Sequence, residues 1–156
     1  MLQIQIPEFG ILRLSHLVLD YNGTLACDGE LLPRVRDSLD RLAQQLAVHV
    51  LTADTFGTAQ SRLAGVPCEL SILGPERQAQ AKRSYVEQLG VRTTACIGNG
   101  RNDRLMLETA ALGIVVAQQE GACVETLLAA DLIVPNICAA LDLLGYPQRL
   151  VATLRG

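Results

Sequence analysis

Asp20 follows the apolar run Leu17-Val18-Leu19 and precedes Tyr21-Asn22-Gly23-Thr24. A carboxylate at the end of a buried strand, followed by a Gly-Thr turn, can present an oxygen nucleophile to a phosphoryl group. Farther along, Thr52 closes the apolar run Val48-His49-Val50-Leu51, and Gly98-Asn99-Gly100-Arg101-Asn102-Asp103 ends another apolar segment. Lys82 lies between them, where Ala79, Lys82, Val86 and Leu89 step by three and four residues. That spacing puts the ammonium on the apolar stripe of a helix and leaves Arg83 off it. A nucleophile, a hydroxyl, a cation and an oxygen-rich loop together suit phosphoryl transfer. Each has a plainer role too: a strand-end Asp is often a turn residue, Thr52 before Asp54 fits a helix N-cap, and a lysine on an apolar stripe can snorkel to water.

The elements that must position these groups alternate. Leu2–Pro7 and Ile11–Leu14 flank Glu8-Phe9-Gly10 and read as a β-hairpin, and His16–Asp20 as a short buried strand. Pro33 is expected to open a helix whose stripe is Val35, Leu39, Leu42 and Leu46. Short β-rich runs follow at Val48–Leu51, Glu69–Leu73, Ala95–Gly98, Gly113–Val116 and Leu132–Val134, with helical stretches near 56–64, 76–89, 101–110 and 121–130. Strands alternating with helices indicate an α/β, Rossmann-like three-layer sandwich with a mostly parallel sheet. In such sheets ligands bind beyond the carboxyl ends of the strands, where Asp20, Thr52 and Asn99 fall.

The 156 residues fit one domain over 1–156. A net charge of −3 offers no footprint for nucleic acid or an anionic membrane. No apolar run approaches the ~20 residues needed to span a bilayer, and no signal peptide is evident. Cys27, Cys68, Cys96, Cys123 and Cys138 form no CxxC pair and are expected as buried, reduced thiols of a cytoplasmic protein. His16 and His49, within apolar strands, are read as core or edge residues.

The order Asp20-Tyr21-Asn22-Gly23-Thr24, a strand ending in Thr52, Lys82, then Gly98-Asn99-Gly100-Arg101-Asn102-Asp103 resembles the haloacid dehalogenase-like (HAD) superfamily of aspartate-nucleophile phosphotransferases. The resemblance implies that Asp20 becomes an aspartyl phosphate, that Thr52 donates a hydroxyl to a phosphate oxygen, and that Lys82 neutralises developing charge. It implies Mg²⁺ as cofactor, with Asp20, Asn22 (through its main-chain carbonyl), Asn99 and Asp103 at the metal. Gly23, Thr24, Ala53 and Asn102 are expected to contact substrate. The turn Asp28-Gly29-Glu30 matches the flap over such sites. About thirty residues separate Asp20 from Thr52, and a similar number Thr52 from Lys82, which leaves no room for a cap domain. An open mouth suits a macromolecular substrate or closure by a neighbouring subunit; the partner expected is a phosphorylated small molecule or protein, and the N-terminal hairpin offers an edge for a homo-oligomer.

Two positions depart from the pattern. Asn22 and Asn99 stand where the resembling motifs hold Asp. An amide at 22 can neither protonate a leaving group nor activate water, which should slow hydrolysis by about 10²–10⁴-fold. Asn99 removes a charge near the metal and should weaken its binding. P-type ATPases share this catalytic fold and also lack an acid two places after the nucleophile, so the chain resembles a soluble relative of that domain. The expectation is a Mg²⁺-dependent phosphatase or phosphotransferase acting through Asp20. The competing expectation is a slow or inactive relative that binds phosphate or a phosphorylated partner in a regulatory role.

Overall fold

The computed structural model describes residues 1–54 and 57–156. An antiparallel hairpin of β1 (Leu2–Ile6) and β2 (Gly10–Leu14) leads into β3 (His16–Asp20). A two-stranded flap, β4 (Ala26–Cys27) and β5 (Glu30–Leu31), follows, then α1 (Val35–Leu42) and β6 (Ala47–Thr52). Next come α2 (Ala59–Arg62), β7 (Glu69–Ile72), α3 (Gln78–Leu89) and β8 (Thr94–Gly98). The chain closes with α4 (Arg104–Thr109), β9 (Leu112–Val116), α5 (Val124–Ala129), β10 (Leu132–Val134), α6 (Ile137–Gly145) and α7 (Pro147–Leu154).

Six strands form one sheet in the order β10-β9-β8-β3-β6-β7, with every neighbouring pair parallel. Its four inner strands are buried on both faces, which explains their near-continuous apolar runs, while the edge strands β7 and β10 are part-exposed. Period-two alternation sends Leu17, Leu19, Val48, Val50, Ala95, Ile97 and Ile114 toward α1, α6, α7 and the hairpin. Val18, Leu51, Cys96 and Val115 face the other way, toward Val86 of α3 and Met106 and Leu107 of α4. The result is the expected three-layer sandwich with an N-terminal hairpin. The chain leaves β3 for β6 on one side and later returns to β8 on the other. In sheets of this kind ligands bind at such a switch point, beyond the carboxyl end of the strand, where Asp20 falls. Between β3 and α1 lies only the flap, and no cap domain is inserted among the described residues. No helix among them is long and apolar enough to cross a membrane.

Several sequence expectations need correction. Pro33 does not open α1: it sits in a turn closed by Val35 N–H to Leu32 C=O at 3.4 Å. The helix starts only after Arg34, whose φ of 67° is left-handed. Leu46 is buried but lies beyond the helix end at Leu42. The stretch 101–110 is broken, a 3₁₀ turn over Arg101–Asp103 preceding α4. The helix placed near 56–64 reduces to α2, its expected first residue falling outside the described residues. Of the five cysteines only Cys96 is buried; the others are half-exposed, and none is paired. His16 and His49 do belong to the sheet. His16 Nδ1 lies 3.2 Å from His49 Nε2, and His49 Nδ1 lies 3.0 Å from Tyr85 Oη.

Candidate active site

Asp20 ends the central strand, paired with Leu51 in β6 and one residue beyond the Leu19–Ile97 register with β8. Because Val18 and Asp20 share a face, the carboxylate points to the α3 layer. There Lys82, fully buried on the apolar stripe of α3, meets it. Lys82 Nζ donates to Asp20 Oδ1 and to Asp103 Oδ1, both at 2.6 Å. One ammonium between two carboxylates offsets part of the cost of burying all three charges. Snorkelling is thereby excluded for Lys82, which stays inside.

Asp103 holds its own loop as well. Its Oδ2 accepts the N–H groups of Asn99 and Gly100, each at 2.9 Å. The carboxylate thus folds back over Gly98, where an added Cβ would sit 2.5 Å from Asp103 Cγ. No side chain fits at position 98 without displacing it. Gly23 is under a similar constraint: its φ is +80°, and a Cβ there would collide with the Asn99 amide.

Thr24, fully buried, lies between the two loops. Its Oγ1 is 3.2 Å from Asp20 Oδ2 and 3.2 Å from Asn99 Oδ1. One hydroxyl proton cannot serve both oxygens. Asn99 Nδ2 donates to Gly121 C=O at 3.0 Å. Asn22 is half-buried, yet its Oδ1 is shut away from solvent with no hydrogen-bond partner. Thr52 is buried at the end of β6, where its Oγ1 accepts the Asp54 N–H at 2.9 Å and retains its own proton. Capping is done by Asp54, whose Oδ1 accepts from Thr58 N and Ala59 N at 2.9 Å each. Ala53 follows, half-buried. Asn102 Nδ2 donates to Gln78 Oε1 at the start of α3 at 2.7 Å.

Burial, and then the charge of Asp103, push the Asp20 carboxyl up to about 7 against the pull of Lys82. For Lys82 burial works to lower the ammonium, but Asp103 and Asp20 overcome it and hold the group above its usual range. The site is short of positive charge.

Three oxygens around Thr24 and Asn22 bear on whether a hard cation fits. Asp20 Oδ2 and Asn99 Oδ1 share a single donor, and Asn22 Oδ1 has none. Oxygen donors of this kind suit a hard divalent ion. No group of three His, Cys, Asp or Glu side chains is placed to hold a metal among the described residues. Any ion would depend on carboxylate and amide oxygens together. The residues fit such an ion with a low count of charged ligands.

Sequence reasoning did not find Gln118 or Gln78, whereas Gly29 falls in the expected flap turn. Gln118 Nε2 donates to Gly23 C=O at 3.0 Å and to Thr24 C=O at 2.6 Å, while its Oε1 accepts Ile137 N–H at 3.0 Å. The flap tip is pinned at Gly29 C=O by Tyr21 Oη at 3.0 Å and Thr58 Oγ1 at 3.4 Å, and Arg62 pairs with Glu30.

No family model matches the chain. A stretch of 59 residues is 52% identical to an uncharacterized protein of Methanocaldococcus jannaschii, covering 38% of this chain and 63% of that protein. The match thus spans less than two thirds of the relative's length. Similar solved structures cover both chains almost throughout. The cobalt-bound deoxy-D-mannose-octulosonate 8-phosphate phosphatase (YrbI) of Haemophilus influenzae has a TM-score of 0.72 at 17% identity, over 92% of this chain and 94% of that one. The 3-deoxy-D-manno-octulosonate 8-phosphate phosphatase of Moraxella catarrhalis, in complex with magnesium ion, phosphate ion and KDO, has a TM-score of 0.65 at 18% identity, over 91% and 94%. A phosphatase of the HAD superfamily from Bacteroides thetaiotaomicron has a TM-score of 0.60 at 11% identity, over 89% and 96%. The chain has the HAD-like fold.

Proposed function

We propose that the chain is a phosphatase or phosphotransferase of the HAD type, with Asp20 as nucleophile and an aspartyl phosphate as its intermediate. The observation that carries this reading is the Lys82 ammonium, 2.6 Å from both Asp20 and Asp103 at the carboxyl end of the central strand. A carboxylate oxygen of Asp20 forms a bond to phosphorus as the bond to the leaving oxygen breaks. Lys82 stabilises the added charge, and the free hydroxyl proton of Thr52 serves a phosphoryl oxygen. With an amide at 22, the leaving oxygen takes its proton from water. The same amide leaves the water that later attacks phosphorus without a base, so the aspartyl phosphate persists. Asp20 and Asn99, with the main-chain carbonyl of Asn22 and Asp103 close behind, would hold Mg²⁺, which when bound supplies positive charge beside the nucleophile.

Gly23, Thr24, Ala53 and Asn102 are the residues proposed to contact the substrate, a phosphorylated small molecule or protein. The unpaired cysteines agree with a cytoplasmic setting. In its acid-free second position the site parallels the P-type ATPase phosphorylation domain.

The test is turnover of an aryl or acyl phosphate with Mg²⁺, abolished by Asp20→Asn, together with a beryllofluoride adduct at Asp20. Absence of both turnover and adduct would sink the reading. A second reading, a regulatory protein that binds phosphate without turning it over, is favoured by the non-acidic Asn22. Phosphate binding without an adduct, in the wild type and in Asn22→Asp alike, would select it.

A further inference from the structure

At the opposite end of the strands from Asp20, β2 has an unpaired edge. It pairs with β1 on one side only, and among the described residues no backbone group of Gly10–Leu14 bonds to anything beyond β1. Antiparallel pairing uses the N–H and C=O of alternate residues, so the remaining ones point outward. β2 runs beside the Val91–Thr93 turn without a main-chain bond to it, and the two are tied only after the strand ends, where Ser15 N–H donates to Thr93 C=O at 2.8 Å. Before that point a groove of about 650 Å³ runs along them.

The groove has an apolar floor and a basic rim. Phe9, Ile11, Val91 and Ala110 contribute the floor, Arg13 and Arg92 the rim, and no acidic residue lines it. Phe9 and Ile11 are exposed, and neither arginine makes an ion pair among the described residues. A local excess of positive charge on a chain of net charge −3 marks this place as distinct from the rest of the surface.

We propose that this edge and groove bind an extended acidic segment of another polypeptide, which adds to β2 as a further strand. Main-chain hydrogen bonds to the free edge supply the general attraction, and the groove supplies selectivity. Ile11 and Arg13 lie two residues apart on the exposed face of β2, so an antiparallel guest presents an acidic side chain to Arg13 and, two residues later, an apolar one to Ile11. A second copy of this chain is a poor occupant. Its β2 carries no acidic side chain to offer Arg13 or Arg92, and none lines the groove.

The experiment uses the full chain and short fluorescein-labelled peptides that repeat Glu-Thr-Val-Thr. Controls carry Lys in place of Glu, or N-methylated peptide bonds at alternate residues. Fluorescence anisotropy is expected to show binding of the glutamate peptide alone. Arg13→Glu with Arg92→Glu should weaken it by about tenfold or more, in line with the loss of close charge pairs at an interface. Both residues lie outside the Asp20 site, so aryl phosphate turnover and thermal unfolding of the double variant report that it is folded. Equal binding of glutamate and lysine peptides, or of the N-methylated peptide, would overturn the proposal. So would a dimer in sedimentation that is dissociated by Ile11→Lys, which would assign the groove to a second copy.

Discussion

The two loops that build the site each carry an Asn-Gly step, and the two asparagines live in different surroundings. In the loop after β8, Asn99 uses both ends of its amide: Nδ2 donates to Gly121 C=O and Oδ1 lies 3.2 Å from the Thr24 hydroxyl. In the loop after β3, Asn22 has a buried Oδ1 with no partner. The amide at 99 is part of the architecture. The amide at 22 is a chemical choice, since nothing bonded to its side-chain oxygen requires it. In both loops the next glycine N–H is already bonded, Gly23 to Ala26 C=O and Gly100 to Asp103 Oδ2, which restrains it from attacking the asparagine side chain.

The strongest way to test whether the loops form one unit is to remove the ammonium they share. Lys82→Met should cost about 3–5 kcal/mol in urea unfolding, because two buried carboxylates lose their partner. A cost below about 1 kcal/mol would mean that the loops hold themselves and that the buried charges are cheaper than their environment implies. Asn22→Asp comes next: it should speed decay of the aspartyl phosphate by about 10²–10⁴-fold, followed by phosphate release. It should also lower stability, because a buried oxygen with no donor becomes part of a carboxylate in a site short of positive charge. Unchanged decay would remove the contrast between the two amides. Asn99→Asp should destabilise by about 1–3 kcal/mol, since a carboxylate would face the Gly121 carbonyl. Mg²⁺ should recover part of that loss in thermal unfolding by binding the folded state.

The smallest effect serves as a control away from both loops. Burial lowers the His49 imidazole below its usual value, with His16 adding to that and Glu69 opposing it. Below pH ~6.5 the unfolded chain takes up a proton that the folded chain refuses, so stability falls as the pH drops through this range. His49→Gln should flatten that part of the melting-temperature profile and leave phosphoryl transfer unchanged.

Much of the site was legible because its residues sit at strand ends, and strand ends show in sequence as the close of an apolar run. Asp20, Thr52 and Asn99 were found that way, and Lys82 because it interrupted an apolar stripe. The last two helices were not found. Five residues of α6 are buried, so its apolar pattern is too broad to show a face. Two local signals mark them nonetheless: Asn136, whose Oδ1 accepts Ala139 N–H at 2.9 Å, and Pro147 at the first helical position of α7. Gln118 had no local signal, since its meaning comes entirely from partners far away in the chain.

That distance has a consequence for synthesis. The loop after β3 leaves the ribosome early, yet the amide that clamps its Gly23 and Thr24 carbonyls arrives 95 and 94 residues later. Gln118 is itself held by the first amide of α6, which comes later again. A nascent chain that has passed Asp20, Thr52 and Lys82 holds all three side chains but no anchor for the loop that follows Asp20. Rigidity of that loop is thus deferred until α6 docks, and a chain stalled before that point holds Asp20, Thr52 and Lys82 without the clamp on the first of their loops.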